Sequence, residues 1–258
     1  MLSHIRHGAG EPLVLIHGIG SQRQVWGPVL ERVGEQRAIV ALDLPGFGAS
    51  APLEGEVSIA TLADAVAGLV DELGLQRPHV AGNSLGGALA LELARTGRAR
   101  SATGLSPLGF ARGREIAFAR ASLAGSRWLA RAVRPLTPAL LTPAAGRALL
   151  QSHLFARPWR MPAAEAIGAT RNLADAPGFA ATLPLLGFAW EHGDLEVPVT
   201  VAWGARDRLL IPRQAGRARR LMPAAEHLLL RGCGHVPTWD DPEQVAAVLL
   251  AGSRTPGP

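Results

Sequence analysis

Three short stretches of this 258-residue chain hold residues whose types suit nucleophilic catalysis. "HVAGNSLGGALA" (79–90) carries Ser84 between Gly82 and Gly86, "AWGARDRLLIP" (202–212) carries Asp207, and "RGCGHVPTWDDP" (231–242) carries His235. A serine hydroxyl attacks a carbonyl only when a base takes its proton, and an imidazole does this well when a carboxylate fixes its tautomer. With 30 glycines and 11 serines in the chain, a Gly-x-Ser-x-Gly match arises by chance about one time in seven, so its surroundings must decide. An apolar run precedes this one and a helix-forming run follows it. That is the strand-turn-helix setting in which a sharp turn lifts a serine clear of a sheet edge. The pentapeptide alone also reads as a glycine-rich turn with a passive serine. Three such residues at three predicted strand ends, in the order Ser84, Asp207, His235, favour catalysis.

A tetrahedral intermediate needs N–H donors for its oxyanion. Leu85 follows the serine at a predicted helix start, and "HGIG" (17–20), after another apolar run, brings the N–H of Ile19 from the other side. Asp43 in "DLPGFGAS" reads as a turn residue and His17 as a brace for the glycine loop. Asp240 and Asp241 read as caps of the last helix. His153 and His192 have no legible partner. No His/Cys/Asp cluster has metal-ligand spacing and no phosphate loop or dinucleotide fingerprint appears, so no metal and no cofactor is expected.

The elements that must position these residues alternate. "LVLIH" (13–17), "AIVAL" (38–42), "HVAG" (79–82), "SATGLS" (101–106), "PVTVAWG" (198–204) and "EHLLLRG" (226–232) are short apolar runs, as in strands buried on both faces. Helical spacing occupies 61–74, 85–97, 212–222 and 241–252. This pattern predicts an α/β fold with a mostly parallel open sheet. From about 109 to 191 no strand is legible, and Pro135, Pro138, Pro143, Pro158 and Pro162 cut the segment into short helices. The expected organisation is a core of 1–108 and 192–258 with a helical lid, 109–191, inserted in it. Trp128, Leu129, Phe155, Trp159, Phe179, Leu185 and Phe188 are candidates for the apolar side of that lid, and Trp128, Phe155, Trp159 and Phe188 for the substrate pocket.

At 48% hydrophobic residues the chain has ample material for one large core. Its lone cysteine, Cys233, cannot form an intramolecular disulfide, and "MLSHIRHGAG" has no export-type apolar region. A cytoplasmic protein, monomeric or weakly dimeric, without a transmembrane segment is expected. The basic residues are all arginine, and the net charge of +5 is too modest to point to nucleic acid. Between 111 and 190 ten arginines face three acids, a local balance of +7. These arginines read first as solvated helix faces, and second as a surface for an anionic substrate, a phospholipid surface or an acidic carrier protein.

"HGIG", "DLPGFGAS", "GNSLGG", "WGARDRLLIP" and "GCGHVPTWDDP" together resemble the successive signatures of the α/β-hydrolase superfamily. The resemblance implies a Ser84-Asp207-His235 triad, an oxyanion hole from Ile19 and Leu85, and a helical lid after the sixth strand. Relatives usually begin with two antiparallel strands, for which only "LSHIRHG" (2–8) is available. Serine at the elbow argues against the haloalkane dehalogenase and epoxide hydrolase branches, which use a carboxylate. The function implied is a serine esterase acting on a small to medium, mostly apolar acyl group. A carbon–carbon bond hydrolase of the meta-cleavage-product type, a thioesterase, lactonase or perhydrolase, and a ligand receptor on the same fold stay open.

Overall fold

The computed structural model describes residues 1–254. Seven strands form one sheet: β1 (His4–His7), β2 (Glu11–Ile16), β3 (Arg37–Leu42), β4 (His79–Asn83), β5 (Ser101–Leu105), β6 (Val199–Gly204) and β7 (Glu226–Leu230). Their spatial order is β1-β3-β2-β4-β5-β6-β7. β1 runs antiparallel to β3, and the other pairings are parallel. Parallel neighbours need crossovers, and helices supply them: α1 (Gly27–Gly34), α2 (Ile59–Glu72) and α3 (Leu85–Arg95) in the first half.

After β5 come α4 (Arg114–Ala132), α5 (Thr137–Leu141), α6 (Ala144–Gln151), α7 (Ala163–Asp175) and α8 (Phe179–Thr182). Then α9 (Arg213–Leu221) precedes β7 and α10 (Pro242–Gly252) follows it.

Alternation along the strands divides the interior. Val14 and Ile16 of β2 face the core shared with α2, α3 and α9, while Leu13 and Leu15 face the core shared with α1 and α10. Trp203 and Trp26 are completely buried in the first and second of these, each removing enough apolar surface from water to contribute a few kcal/mol.

The segment between β5 and β6 holds helices and loops but no strand, and the five prolines singled out in it start helices rather than interrupt them. Pro138 lies in the first turn of α5, Pro143 and Pro162 precede α6 and α7, and Pro135 and Pro158 open single 3₁₀ turns at Arg134–Leu136 and Pro158–Arg160. This segment follows the fifth strand of the chain, not the sixth that the resemblance implied. One antiparallel strand, β1, stands where that pattern has two, so every later strand drops by one.

Candidate active site

Ser84 joins β4 to α3 with φ 57° and ψ −116°, a conformation L residues rarely adopt. The flanking glycines are required by contact. A Cβ on Gly82 would stand 2.1 Å from the Gly86 carbonyl oxygen, and one on Gly86 would stand 2.1 Å from that of Ile16. Hydrogen bonds hold the strained turn: the Ser84 N–H donates to Leu105 O at 2.9 Å, and the Ser84 carbonyl accepts from Ala88 and Leu108 at 3.1 Å each.

The other two residues meet 2.8 Å apart, His235 Nδ1 against Asp207 Oδ2. Asp207 Oδ1 accepts from the N–H groups of Leu209 (2.9 Å) and Leu210 (2.8 Å), so both carboxylate oxygens are engaged. With both oxygens engaged as acceptors, the hydrogen of the His235 contact belongs to Nδ1, so the tautomer that can act as a base is the one with its lone pair on Nε2. Ser84 and His235 line the same cavity. Among the described residues Ser84 Oγ makes no hydrogen bond, a contact that commonly tightens only when substrate is bound.

The loop after β2 lies directly against the serine: a Cβ on Gly18 would be 3.0 Å from Ser84 Cβ. Among the described residues neither the Ile19 nor the Leu85 N–H donates to an acceptor, and both belong to backbone next to Ser84. His17 fixes this loop. The Leu44 N–H donates to its Nε2 at 2.9 Å, so the ring hydrogen is on Nδ1, 2.8 Å from Gly18 O. Burial pushes its pKa down to about 4, which keeps the ring neutral. Asp43 organises the neighbouring turns, accepting from the Arg23 N–H (2.8 Å), the Arg23 guanidinium and the Ala49 N–H (3.0 Å).

The cavity has a volume of about 380 Å³. Leu123 and Leu129 of α4 with Val133 just after it, Leu140 and Leu141 of α5, and Leu149 and Leu150 of α6 make its helical wall, with Phe155 and Met161 beyond. Among the described residues no arginine lines it. Phe155 and Leu129 are therefore where the sequence placed them, but Trp128, Trp159 and Phe188 are not in the wall. Trp128 follows the cavity-facing Ser126 by two positions, about 200° around the helix, and is 70% exposed. Trp159 lies in a surface 3₁₀ turn, and Phe188 packs edge-on against Trp190 with ring centres 6.4 Å apart. Phe179 and Leu185 likewise join the sheet-side core.

Asp241 caps α10 through the Gln244 N–H at 3.0 Å, as expected, but Asp240 does not. Its buried carboxylate accepts from the N–H groups of Gly234 (2.7 Å), Ala156 (2.9 Å) and Arg157 (2.6 Å). Burial raises its pKa, and these three donors oppose the shift. Asp240 therefore ties the histidine loop to residues 154–157, and the Val236 N–H donation to Leu154 O at 3.0 Å closes the same joint. Asn83 makes a second link, donating to Leu105 O (3.0 Å) and His235 O (2.8 Å). Both roles arise from contacts 83 to 152 residues apart along the chain, for which no local pattern exists.

The arginines of the helical segment are mostly internal donors. Arg120, Arg127, Arg131, Arg147, Arg157 and Arg160 donate to backbone carbonyls, and Arg134 pairs with Asp175.

A mostly parallel sheet in this order, with a strained serine after β4, a carboxylate after β6 and a histidine after β7, is the framework of an α/β hydrolase. The sequence matches the alpha/beta hydrolase fold family over residues 11–242, and the chain belongs to that family. It is 32% identical over 255 residues to the dihydrolipoyllysine-residue acetyltransferase component of the acetoin cleaving system of Pseudomonas putida, covering 94% of this chain and 63% of that protein's length. Epoxide hydrolase EphH of Mycobacterium tuberculosis is 35% identical over 206 residues, 76% of this chain and 94% of that one. Among solved structures, a membrane phospholipase A described as a bacterial virulence factor superposes with a TM-score of 0.72 at 26% identity, over 99% of this chain and 84% of that one.

Proposed function

We propose that this hydrolase is a serine esterase that cleaves a carboxylic ester of a medium-length, mostly apolar acyl group through an acyl-enzyme on Ser84. Residues 109–191 act as its lid. The observation that carries the reading is the cavity: Ser84 and His235 stand at a mostly apolar chamber of about 380 Å³ with no arginine in its wall. Such a chamber takes up an alkyl chain by burial of apolar surface.

In this mechanism His235 Nε2 takes the Ser84 proton as Oγ attacks the carbonyl. The oxyanion is received by the N–H groups of Ile19 and Leu85. The imidazolium, held by Asp207, then protonates the departing alkoxide, and a water deprotonated by the same nitrogen releases the acid. The arginine-free wall speaks against an anionic dienol substrate for carbon–carbon bond cleavage. Epoxide opening by Ser84 would leave an ether with no carbonyl for water to attack, so the activity named for EphH does not carry over.

The test is fluorophosphonate labelling alongside turnover of p-nitrophenyl esters from acetate to dodecanoate. The wild type is expected to label and to prefer medium chains, and Ser84→Ala to lose both signals. Labelling without turnover of any ester would replace the esterase reading with the carbon–carbon hydrolase or receptor alternative.

A further inference from the structure

We propose that Ser126 and His153 form a polar subsite for an oxygen substituent on the acyl chain close to the scissile carbonyl, so that the preferred substrates are hydroxyacyl esters; this rests on the esterase reading above. Ser126 Oγ lies 2.9 Å from His153 Nε2, and both side chains line the cavity. The α4–α6 wall is otherwise mostly aliphatic; Thr137, whose hydroxyl donates to Val133 O, and Gln151 are its other polar residues, and α7 adds Glu165 and Thr170. Gln151 and Asn172, the latter also from α7, donate to the carbonyls of Ala166 and of Gly20 and Ser21.

The pair presents an acceptor, the Ser126 oxygen, whichever tautomer His153 adopts. With the Ser126 hydroxyl donating to Ser122 O at 2.7 Å, the hydrogen shared with His153 comes from Nε2. In the other tautomer Nδ1–H turns to the Leu150 carbonyl facing the ring, and Ser126 donates to Nε2. Both hydrogens of the pair are spent on Ser122 O or Leu150 O and on each other, so the partner that suits it is a donor, a substrate hydroxyl above all. Burial, reinforced by the nearby His235, lowers the His153 pKa and keeps the ring neutral in both arrangements.

Position sets where on the chain the oxygen must be. Leu154, next to His153, accepts from the N–H of Val236, next to His235, so the subsite adjoins the reacting centre. Leu140, Leu141 and Leu149 continue the wall from helices that pack on α7, on each other and on the Pro158–Arg160 turn. A polar group near the carbonyl followed by an alkyl tail matches that sequence of surfaces.

The experiment compares kcat/KM for p-nitrophenyl 3-hydroxyhexanoate and p-nitrophenyl hexanoate in the wild type, Ser126→Ala and His153→Leu, with fluorophosphonate labelling as the check that each variant keeps an intact site. The wild type should favour the hydroxy ester about tenfold, and the ratio should fall toward one in both variants. If His153→Leu fails to label, Ser126→Ala, which removes a single oxygen, carries the comparison. A wild-type ratio near one, or a ratio that survives in the variants, overturns the subsite. If the wild type turns over neither ester, the esterase reading fails and the subsite falls with it.

Discussion

At the scale of single residues, the chemistry turns on which nitrogen of His235 carries hydrogen. Asp207 is fastened by two backbone N–H groups and meets Nδ1 at 2.8 Å, so Asp207→Asn would put a donor against the ring and favour the other tautomer. We expect kcat to fall by about 10³- to 10⁴-fold with the melting temperature little changed, as measured by steady-state kinetics beside calorimetry. His17 has a consequence for stability instead. Its folded pKa of about 4 lies below the ordinary value of 6.5, so as pH falls through this interval the unfolded chain binds a proton that the folded chain refuses. Stability should therefore decline by about 3 kcal/mol between pH 6.5 and 4 from this residue alone. Urea titrations across that range should show a slope that flattens in His17→Gln, and an unchanged slope would contradict the assignment.

At the scale of elements, the joint between the histidine loop and residues 154–157 decides whether the helical segment and the catalytic centre move together. The Asp240 carboxylate accepts two hydrogen bonds across it, from the N–H groups of Ala156 and Arg157, and a third within the histidine loop, from Gly234. Asp240→Asn would turn an amide toward those donors. We expect a loss of about 3 kcal/mol in urea denaturation, with kcat/KM for esters falling more than the fluorophosphonate labelling rate, because the cavity wall shifts while Ser84 stays in its turn. Equal losses in both would mean that the carboxylate supports the fold as a whole.

At the scale of the whole molecule, the positive charge concentrated in the helical segment is both brace and surface: most of its arginines are exposed, and most also hold the segment together. Seven of its ten arginines spend donors on carbonyls or on Asp175, and Arg127 also stacks over the Phe179 ring at 4.6 Å. Turnover of a neutral ester should therefore change less than about twofold between 0.05 and 0.5 M salt. A steep fall for an anionic ester beside an unchanged neutral one would support the reading in which the arginines draw in an anionic partner, and equal dependence for both would remove it. Among the described residues no helix is long and apolar enough to cross a membrane.

What the sequence determined by itself is the framework and the positions of Ser84, Asp207 and His235 just beyond the ends of its strands. Strands buried on both faces show as continuous apolar runs, and a nucleophile turn shows as small residues around a serine between a strand and a helix, because each depends on contacts within a few residues. Gly82 and Gly86 belong to this legible class: a side chain at either would run into backbone. The tertiary structure alone decided the rest. Trp128 and Leu129 are neighbours in sequence, yet only Leu129 reaches the cavity, since rotation about α4 and the packing of α5 to α7 choose the facing side. Asp240 and Asp241 are likewise adjacent and chemically alike, but one caps α10 and the other binds backbone more than 80 residues away. Local periodicity carries the elements; the partner of a side chain is set by which distant backbone the fold brings within 3 Å of it.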